Sequence, residues 1–468
     1  MMHRASYFLI ALLIANQSAP MLQGAEADEV DAYVQAEMQK QKIPGLAVLI
    51  VREGTIAKSQ GYGLANVEHQ VPVKPETIFQ SGSMGKQFTA TAMMMLVEQG
   101  KVALDDPVSK HLGEIPEPWK PITVRHLLSH TAGVGEYPES FDLRRDYSED
   151  ELLQSIYRLP LVFAPGEKWR YSNPGYIALG ILIHKVTGQF YGDFLQDRIF
   201  KPLGMTSTRI ISDADIVSNR AAGYRVVKGE LKNQEWVSPT MNSTADGSLY
   251  LNIVDLAKWD AVLYTERLLK RESLEQMWKP AVLNSGKQNF AGYGFGWMSK
   301  DVHGHRVIEH AGAWQGFTSH IARFVDDRLT VVVLANLAGS NPPKIARHVA
   351  GLYLSELLPD ERTSTEDTEP ELTAILREQL SSYLEGKADR ETFVEEARDF
   401  LFSDDAKPIV AKLVEYGKLQ SLTLSERSTA DGYRVYKYRA KHERGPTLVY
   451  TFHLTETNKI ARLSVDTD

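Results

Sequence analysis

Apolar and polar positions divide the chain into stretches of different texture. Val30 to Gln41 carries the spacing of an amphipathic helix, and Gly45-Leu-Ala-Val-Leu-Ile-Val-Arg52 is a compact apolar run closed by Glu53-Gly54. That order predicts helix, strand, hairpin turn, strand. From about Thr77 to Trp259 the pattern turns helical: Ser83 to Glu98 ends at Gly100, Val124 to Leu128 stops at a turn, and Tyr176 to Thr187 ends at Gly188. Strand signals return at Gly292 to Trp297, Arg306 to Glu309, Phe317 to Phe324 and Leu329 to Asn336, with a turn at Asp326-Asp327 and a helix over Pro343 to Leu357.

Pairing the early hairpin with the late strands gives one antiparallel sheet built from both ends of a domain, flanked by helices. The helical stretch is then an inserted subdomain, and the junction between the two is the natural place for a site. Pro359 to Pro370 is acidic, polar and bracketed by prolines, the composition of a linker exposed to proteases. Beyond it, helices over Glu371 to Leu384, Arg390 to Phe402 and Lys407 to Glu415 precede strands at Leu419 to Glu426, Tyr433 to His442, Thr447 to Thr455 and Ile460 to Val465. This is a small α+β domain with a four-stranded antiparallel meander, whose Tyr433, Tyr436, Tyr438 and Tyr450 are expected on its inner face. No 20–50-residue repeat runs through the chain.

At 468 residues, two domains are expected. The expected boundaries are 1–27 for a secretory signal, 28–358 for the main domain, 359–370 for the linker and 371–468 for the C-terminal domain. The signal rests on Arg4, the apolar run from Tyr7 to Ala15 and the small residues of Ala25-Glu26-Ala27. That run is too short to span a bilayer, so the chain is expected to be exported, periplasmic or secreted, with no stable membrane span. A net charge of -8 gives no large positive field, which argues against nucleic acid and favours a small-molecule or peptide substrate. The absence of cysteine excludes disulfides, a thiolate nucleophile and thiolate metal ligands.

Three short motifs carry candidate chemistry. Ser83-Met84-Gly85-Lys86 stands at a helix start, where a spacing of three puts both side chains on one face and lets the amine reach the hydroxyl. Free N–H groups at such a start can bind a developing oxyanion. Tyr171-Ser172-Asn173 offers a hydroxyl for proton transfer and an amide for holding a carbonyl, both pointing the same way, or else a polar turn capping the next helix. His310-Ala311-Gly312 follows a strand, and its small residues allow a substrate backbone to approach the edge.

In order, spacing and flanks these motifs resemble the serine β-lactamase-like superfamily, close to class C β-lactamases, D-alanyl-D-alanine peptidases and related esterases. His310-Ala311-Gly312 stands where many members have Lys-Thr-Gly. The resemblance extends to Arg125-His-Leu-Leu-Ser-His-Thr-Ala-Gly133, Gly204-Met-Thr-Ser-Thr208, Ala245-Asp-Gly-Ser-Leu-Tyr and Asp255-Leu-Ala-Lys-Trp259, over roughly residues 30 to 355. It implies a β-lactamase/transpeptidase-like α+β fold and a serine hydrolase without cofactor. Ser83 would attack an amide or ester, with Lys86 and Tyr171 moving the proton and either one as base. Asn173, His310, Gly312 and Ala313 would bind substrate, the N–H groups of Ser83 and Ala313 forming the oxyanion hole. The substrate would be a D-amino-acid peptide, a β-lactam or a small ester; the alternative is a penicillin-binding sensor that acylates without efficient turnover.

Two departures from the pattern stand out. Gly85 replaces a usual Ser or Thr, which predicts a looser helix start, and His310 replaces Lys, which predicts a substrate-facing charge that changes near pH 6.5. Other patterns carry less. His303, His305 and His310 lack a carboxylate at ligand spacing, so no metal is expected. His126 and His130 belong to a structural turn, Gly292, Gly294 and Gly296 mark a Gly-rich strand, and Met93 to Met95 are core. Asn242-Ser243-Thr244 matches a glycosylation pattern but suits a polar loop.

Overall fold

The computed structural model describes residues 23–358, 366–403, 406–430 and 432–467. The apolar run from Tyr7 to Ala15 and residues 359–365 of the acidic segment lie outside the described residues. Ala25-Glu26-Ala27 falls inside the first helix, Gln23–Gln41, which starts earlier than its apolar spacing suggests.

The strand Gly45–Arg52 explains the architecture. Side chains alternate between faces along a strand, and here Leu46, Val48 and Ile50 enter one buried cluster while Ala47, Leu49 and Val51 enter another. An unbroken apolar run is what a sheet covered by helices on both faces requires. One face is packed by Val30, Val34 and Met38 of the first helix and by Ile345 and Val349 of the helix Pro342–Gly351. The other carries the helical subdomain, including the helix Lys86–Glu98, every residue of which is buried from Lys86 to Leu96. Each large aliphatic side chain so enclosed contributes about 1.5–3 kcal/mol.

The sheet has seven strands, in the order Val71–Pro72, Thr55–Asn66, Gly45–Arg52, Leu329–Ala335, Phe317–Phe324, His305–Trp314 and Met298–Val302, all antiparallel. Leu49 lies opposite Val332, so the two ends of the domain do close one sheet. The Gly-rich run at 292–297 is not the strand its composition suggested. Gly292 and Gly296 take positive φ values of 67° and 73°, which bend the chain into turns, and the strand starts only at Met298. The next strand is longer than expected, His305–Trp314, and carries His310 to Ala313 into the sheet. The late helix ends at Gly351, followed by a single 3₁₀ turn, Ser355–Leu357.

The chain separates into two compact units, one ending at Leu358 and one beginning at Pro359. The second unit has its own core. Leu372, Leu376 and Leu380 of the helix Pro370–Leu384 pack with Tyr436, Tyr438, Tyr450 and Phe452 of a four-stranded antiparallel meander. Tyr433 does not share that inner face: it is three residues from Tyr436 and so points to the opposite side, where it stacks with His453.

Candidate active site

Ser83 sits in a 3₁₀ turn, Gly82–Gly85, that leads directly into the helix Lys86–Glu98. In a 3₁₀ turn positions i and i+3 eclipse one another, which brings Lys86 Nζ to 3.1 Å from Ser83 Oγ. Neither Ser83 nor Gly85 caps the helix with a side chain.

The turn is clamped between two backbones. Gly82 adopts φ of 52°, and a Cβ there would lie 2.4 Å from the Ala313 nitrogen. On the other side a Cβ at Gly85 would lie 2.8 Å from Gly247 Cα. Gly85 therefore does not loosen the helix start; it permits a close approach that a hydroxyl-bearing side chain would obstruct. Ser81 pins the arrangement, donating through Oγ to the Gly247 carbonyl at 2.6 Å and accepting at its own carbonyl from Ser319 Oγ at 2.6 Å. The space beside Gly312 is likewise filled by the protein, since a Cβ would meet Ser81 O at 2.0 Å. Gly312 thus seats the strand against the turn that carries Ser83, where access for a substrate backbone had been expected. Gly82→Ala is expected to cost about 1–3 kcal/mol, from the positive φ and the clash together, and to lower kcat/KM by displacing Ser83; a thermal melt beside a steady-state assay checks both.

Lys86 is the hub of the site. It is 0% exposed, and its ammonium also donates to Asn173 Oδ1 at 2.8 Å and to the Asp246 carbonyl at 2.5 Å. Burial pulls its pKa down to about 8, against the opposing charges of Asp246 and Glu136. Asn173 opens the helix Asn173–Thr187, whose N-cap is Ser172; the Ser172 hydroxyl accepts from the Gly175 N–H. The cap that the sequence allowed for and the amide that reaches Lys86 are therefore adjacent residues with separate tasks. Tyr171 lies with its ring 4.9 Å from Lys86 Nζ. Its hydroxyl is buried without a hydrogen-bond partner of good geometry among the described residues. Burial pushes its pKa well above the tyrosine range, with Ser83 pulling the other way.

His310 is 2% exposed. Nδ1 lies 2.6 Å from the Ala311 carbonyl, which can only accept, so Nδ1 carries the proton and Nε2 accepts from the Tyr293 hydroxyl at 3.0 Å. Burial, reinforced by the Lys86 charge, lowers the His310 pKa to about 3. The expected change of charge near pH 6.5 is therefore not found: the imidazole is neutral across the working range.

Several residues of the site were missed from sequence. His130 has φ of 60°, just past the helix Val124–Leu128, and its ring centroid lies 4.2 Å from that of Tyr171 and 4.6 Å from that of Tyr293. It does lie in the turn expected of it, and from there it also backs the Tyr171 ring while its Nδ1 accepts from the Ser172 N–H. Glu136 accepts from the Asn173 N–H at 2.6 Å. Asp246 was visible only as one letter of a longer match.

Among the described residues no three His, Cys, Asp or Glu side chains come together to hold a metal ion, and His305 pairs instead with Asp327. Asn242 is buried, and its Oδ1 accepts from Trp314 Nε1 at 2.8 Å, which rules out glycosylation of the folded chain.

An antiparallel sheet with a helical insertion, bringing Ser83, Lys86, Tyr171 and Asn173 together beside the His310 strand, defines the class of penicillin-recognising serine hydrolases. The chain belongs to the β-lactamase family, whose model matches residues 30–354. It is 30% identical over 307 residues to penicillin-binding protein 4* of Bacillus subtilis, covering 62% of this chain and 67% of that one. It is 29% identical over 332 residues to protein flp of Staphylococcus aureus (strain MRSA252), covering 69% and 65%. The chain thus spans about two thirds of the length of these relatives. The octameric penicillin-binding protein homologue from Pyrococcus abyssi has a similar structure, with a TM-score of 0.64, 25% identity and coverage of 94% of this chain and 96% of that one.

Proposed function

We propose that the chain hydrolyses an amide or ester through an acyl-enzyme on Ser83. The observation that carries this reading is Lys86, buried, touching Ser83 Oγ and held with a pKa of about 8. A neutral fraction of that amine takes the Ser83 proton as Oγ attacks the carbonyl. The N–H groups of Ser83 and Ala313 receive the developing oxyanion, the Ala313 backbone being packed against the nucleophile turn at Gly82. Tyr171, kept protonated by burial, donates to the leaving group and is reprotonated from Lys86. Water then attacks the acyl ester and restores Ser83. Asn173, fixed between Lys86 and Glu136, orients the substrate.

The names of the Bacillus subtilis and Pyrococcus abyssi relatives support penicillin as one acylating ligand. The test is a parallel steady-state assay with a chromogenic cephalosporin, a p-nitrophenyl ester and a D-alanyl dipeptide. Turnover of at least one is expected. A chain that is acylated by the cephalosporin but turns over none of the three would instead be a penicillin-binding sensor.

A further inference from the structure

A cavity lies at the foot of the hairpin formed by the strands Tyr224–Val227 and Glu230–Asn233. None of Ser83, Lys86, Tyr171, Asn173 and His310 lines it. Its volume is about 270 Å³, close to the lower end of small-molecule sites, roughly 300 Å³. Gln80 and Gln234 line it from two separate segments, and the Oε1 atoms of both are buried without a hydrogen-bond partner. Gln80 is 3% exposed. Buried polar groups are satisfied as a rule, so two unsatisfied carboxamides on the wall of one cavity point to a missing partner.

Arg220 brings a positive charge to the same wall. Its Nη1 donates to the Ser212 carbonyl and to the Tyr250 hydroxyl, both at 3.3 Å, and lies 3.9 Å from Asp213 Oδ1. All three contacts use one nitrogen. The Nε–Nη2 edge, which can grip a carboxylate through two parallel hydrogen bonds, has no partner among the described residues. Asp213 is engaged elsewhere, its Oδ2 accepting from Asn242 Nδ2 at 3.2 Å. Asn242 in turn accepts from Trp314 Nε1 at 2.8 Å, which ties this wall to the strand carrying Ala313. Tyr250, the aromatic residue of the wall, is 1% exposed and offers no ring face for stacking, so hydrogen bonding and charge are what the cavity provides.

We infer that this cavity is a second binding site, for a small anion that joins a carboxylate to an amide, as an N-acyl amino acid does. The open edge of Arg220 holds the carboxylate, and Gln80 and Gln234 hold the amide. A carboxamide sets a donor beside an acceptor, the same pair that a ligand amide presents in reverse. Rotation about its last side-chain bond turns either end toward the occupant.

The test titrates the full chain, as Ser83→Ala so that no probe is consumed, with N-acetylglycine, and follows binding by saturation-transfer NMR. Acetate supplies the carboxylate alone and N-acetylglycinamide the amides alone. N-acetylglycine is expected to bind more tightly than either control by about tenfold or more. Arg220→Lys is expected to weaken it by about tenfold or more although charge is conserved, because an ammonium lacks the fork. Gln80→Met is expected to weaken it too, with a melting temperature equal or higher, since an apolar group then replaces an unsatisfied buried one. No binding of N-acetylglycine, binding no tighter than that of acetate, or equal affinity in Arg220→Lys and Gln80→Met overturns the inference. A markedly lower melting temperature in Gln80→Met also overturns it, because the amide would then have a structural task. Each of these outcomes leaves the hydrolase reading standing.

Discussion

Ser83→Ala is expected to lower hydrolysis of any accepted substrate by about 10⁴-fold or more while leaving the melting temperature nearly unchanged. Ser83 is half-buried and its Oγ accepts one hydrogen bond, from Lys86, so removing that oxygen opens no large cavity. The turn is held by Ser81, Gly82, Gly85 and Gly312, none of which depends on the Ser83 hydroxyl. A steady-state assay beside a thermal melt separates the two effects. Near-normal turnover in a folded Ser83→Ala protein would place the nucleophile elsewhere.

Lys86→Arg is expected to be almost as damaging, by about 10³-fold or more, although charge is conserved. An arginine stays protonated at every working pH and cannot accept the Ser83 proton. Its fork would also have to fit among Ser83 Oγ, Asn173 Oδ1 and the Asp246 carbonyl, three acceptors that now surround one nitrogen. The wild type should show the corresponding pH dependence. Because burial lowers the Lys86 pKa from its usual 10.5 to about 8, the neutral, base-competent form gains with rising pH. At pH 7 it is about a tenth of the population. The profile of kcat/KM should therefore climb through pH 7 and level off above about 8 to 9. His310, lowered to about 3, adds no limb near 6.5. A limb there that disappears in His310→Gln would assign the titration to His310 and contradict the environment described above.

What was legible in the sequence is what local spacing determines. Ser83 and Lys86 are three apart, so any helical turn brings them together. The unbroken apolar run Leu46 to Val51 required cover on both faces and so announced a sheet enclosed by helices. Contacts between distant residues were not legible. The Asp246 carbonyl meets Lys86 across 160 positions, and Glu136 meets Asn173 across 37; nothing in the local sequence of either residue signals such a contact. His310 was expected just past a strand ending at Glu309, whereas the strand runs on through it to Trp314, and its electrostatics were misjudged. An unperturbed imidazole pKa assumes water around the ring, and Tyr293, which displaces that water, lay hidden in a Gly-rich run whose positive φ values made it a turn. Gly85 and Gly312 were misread for a related reason. Their value lies in what packs against them, Gly247 and Ser81, and no neighbour in sequence reveals that.

The central claim is that Ser83, activated by Lys86, carries the acyl group. Intact-mass and peptide-mapping measurements after brief exposure to a fluorophosphonate or a penicillin test it most directly. The account predicts one adduct per chain, on the peptide containing Ser83, formed faster as pH rises toward 8 and absent from Ser83→Ala. An adduct of equal yield in Ser83→Ala, or one mapping to any other residue, would contradict it.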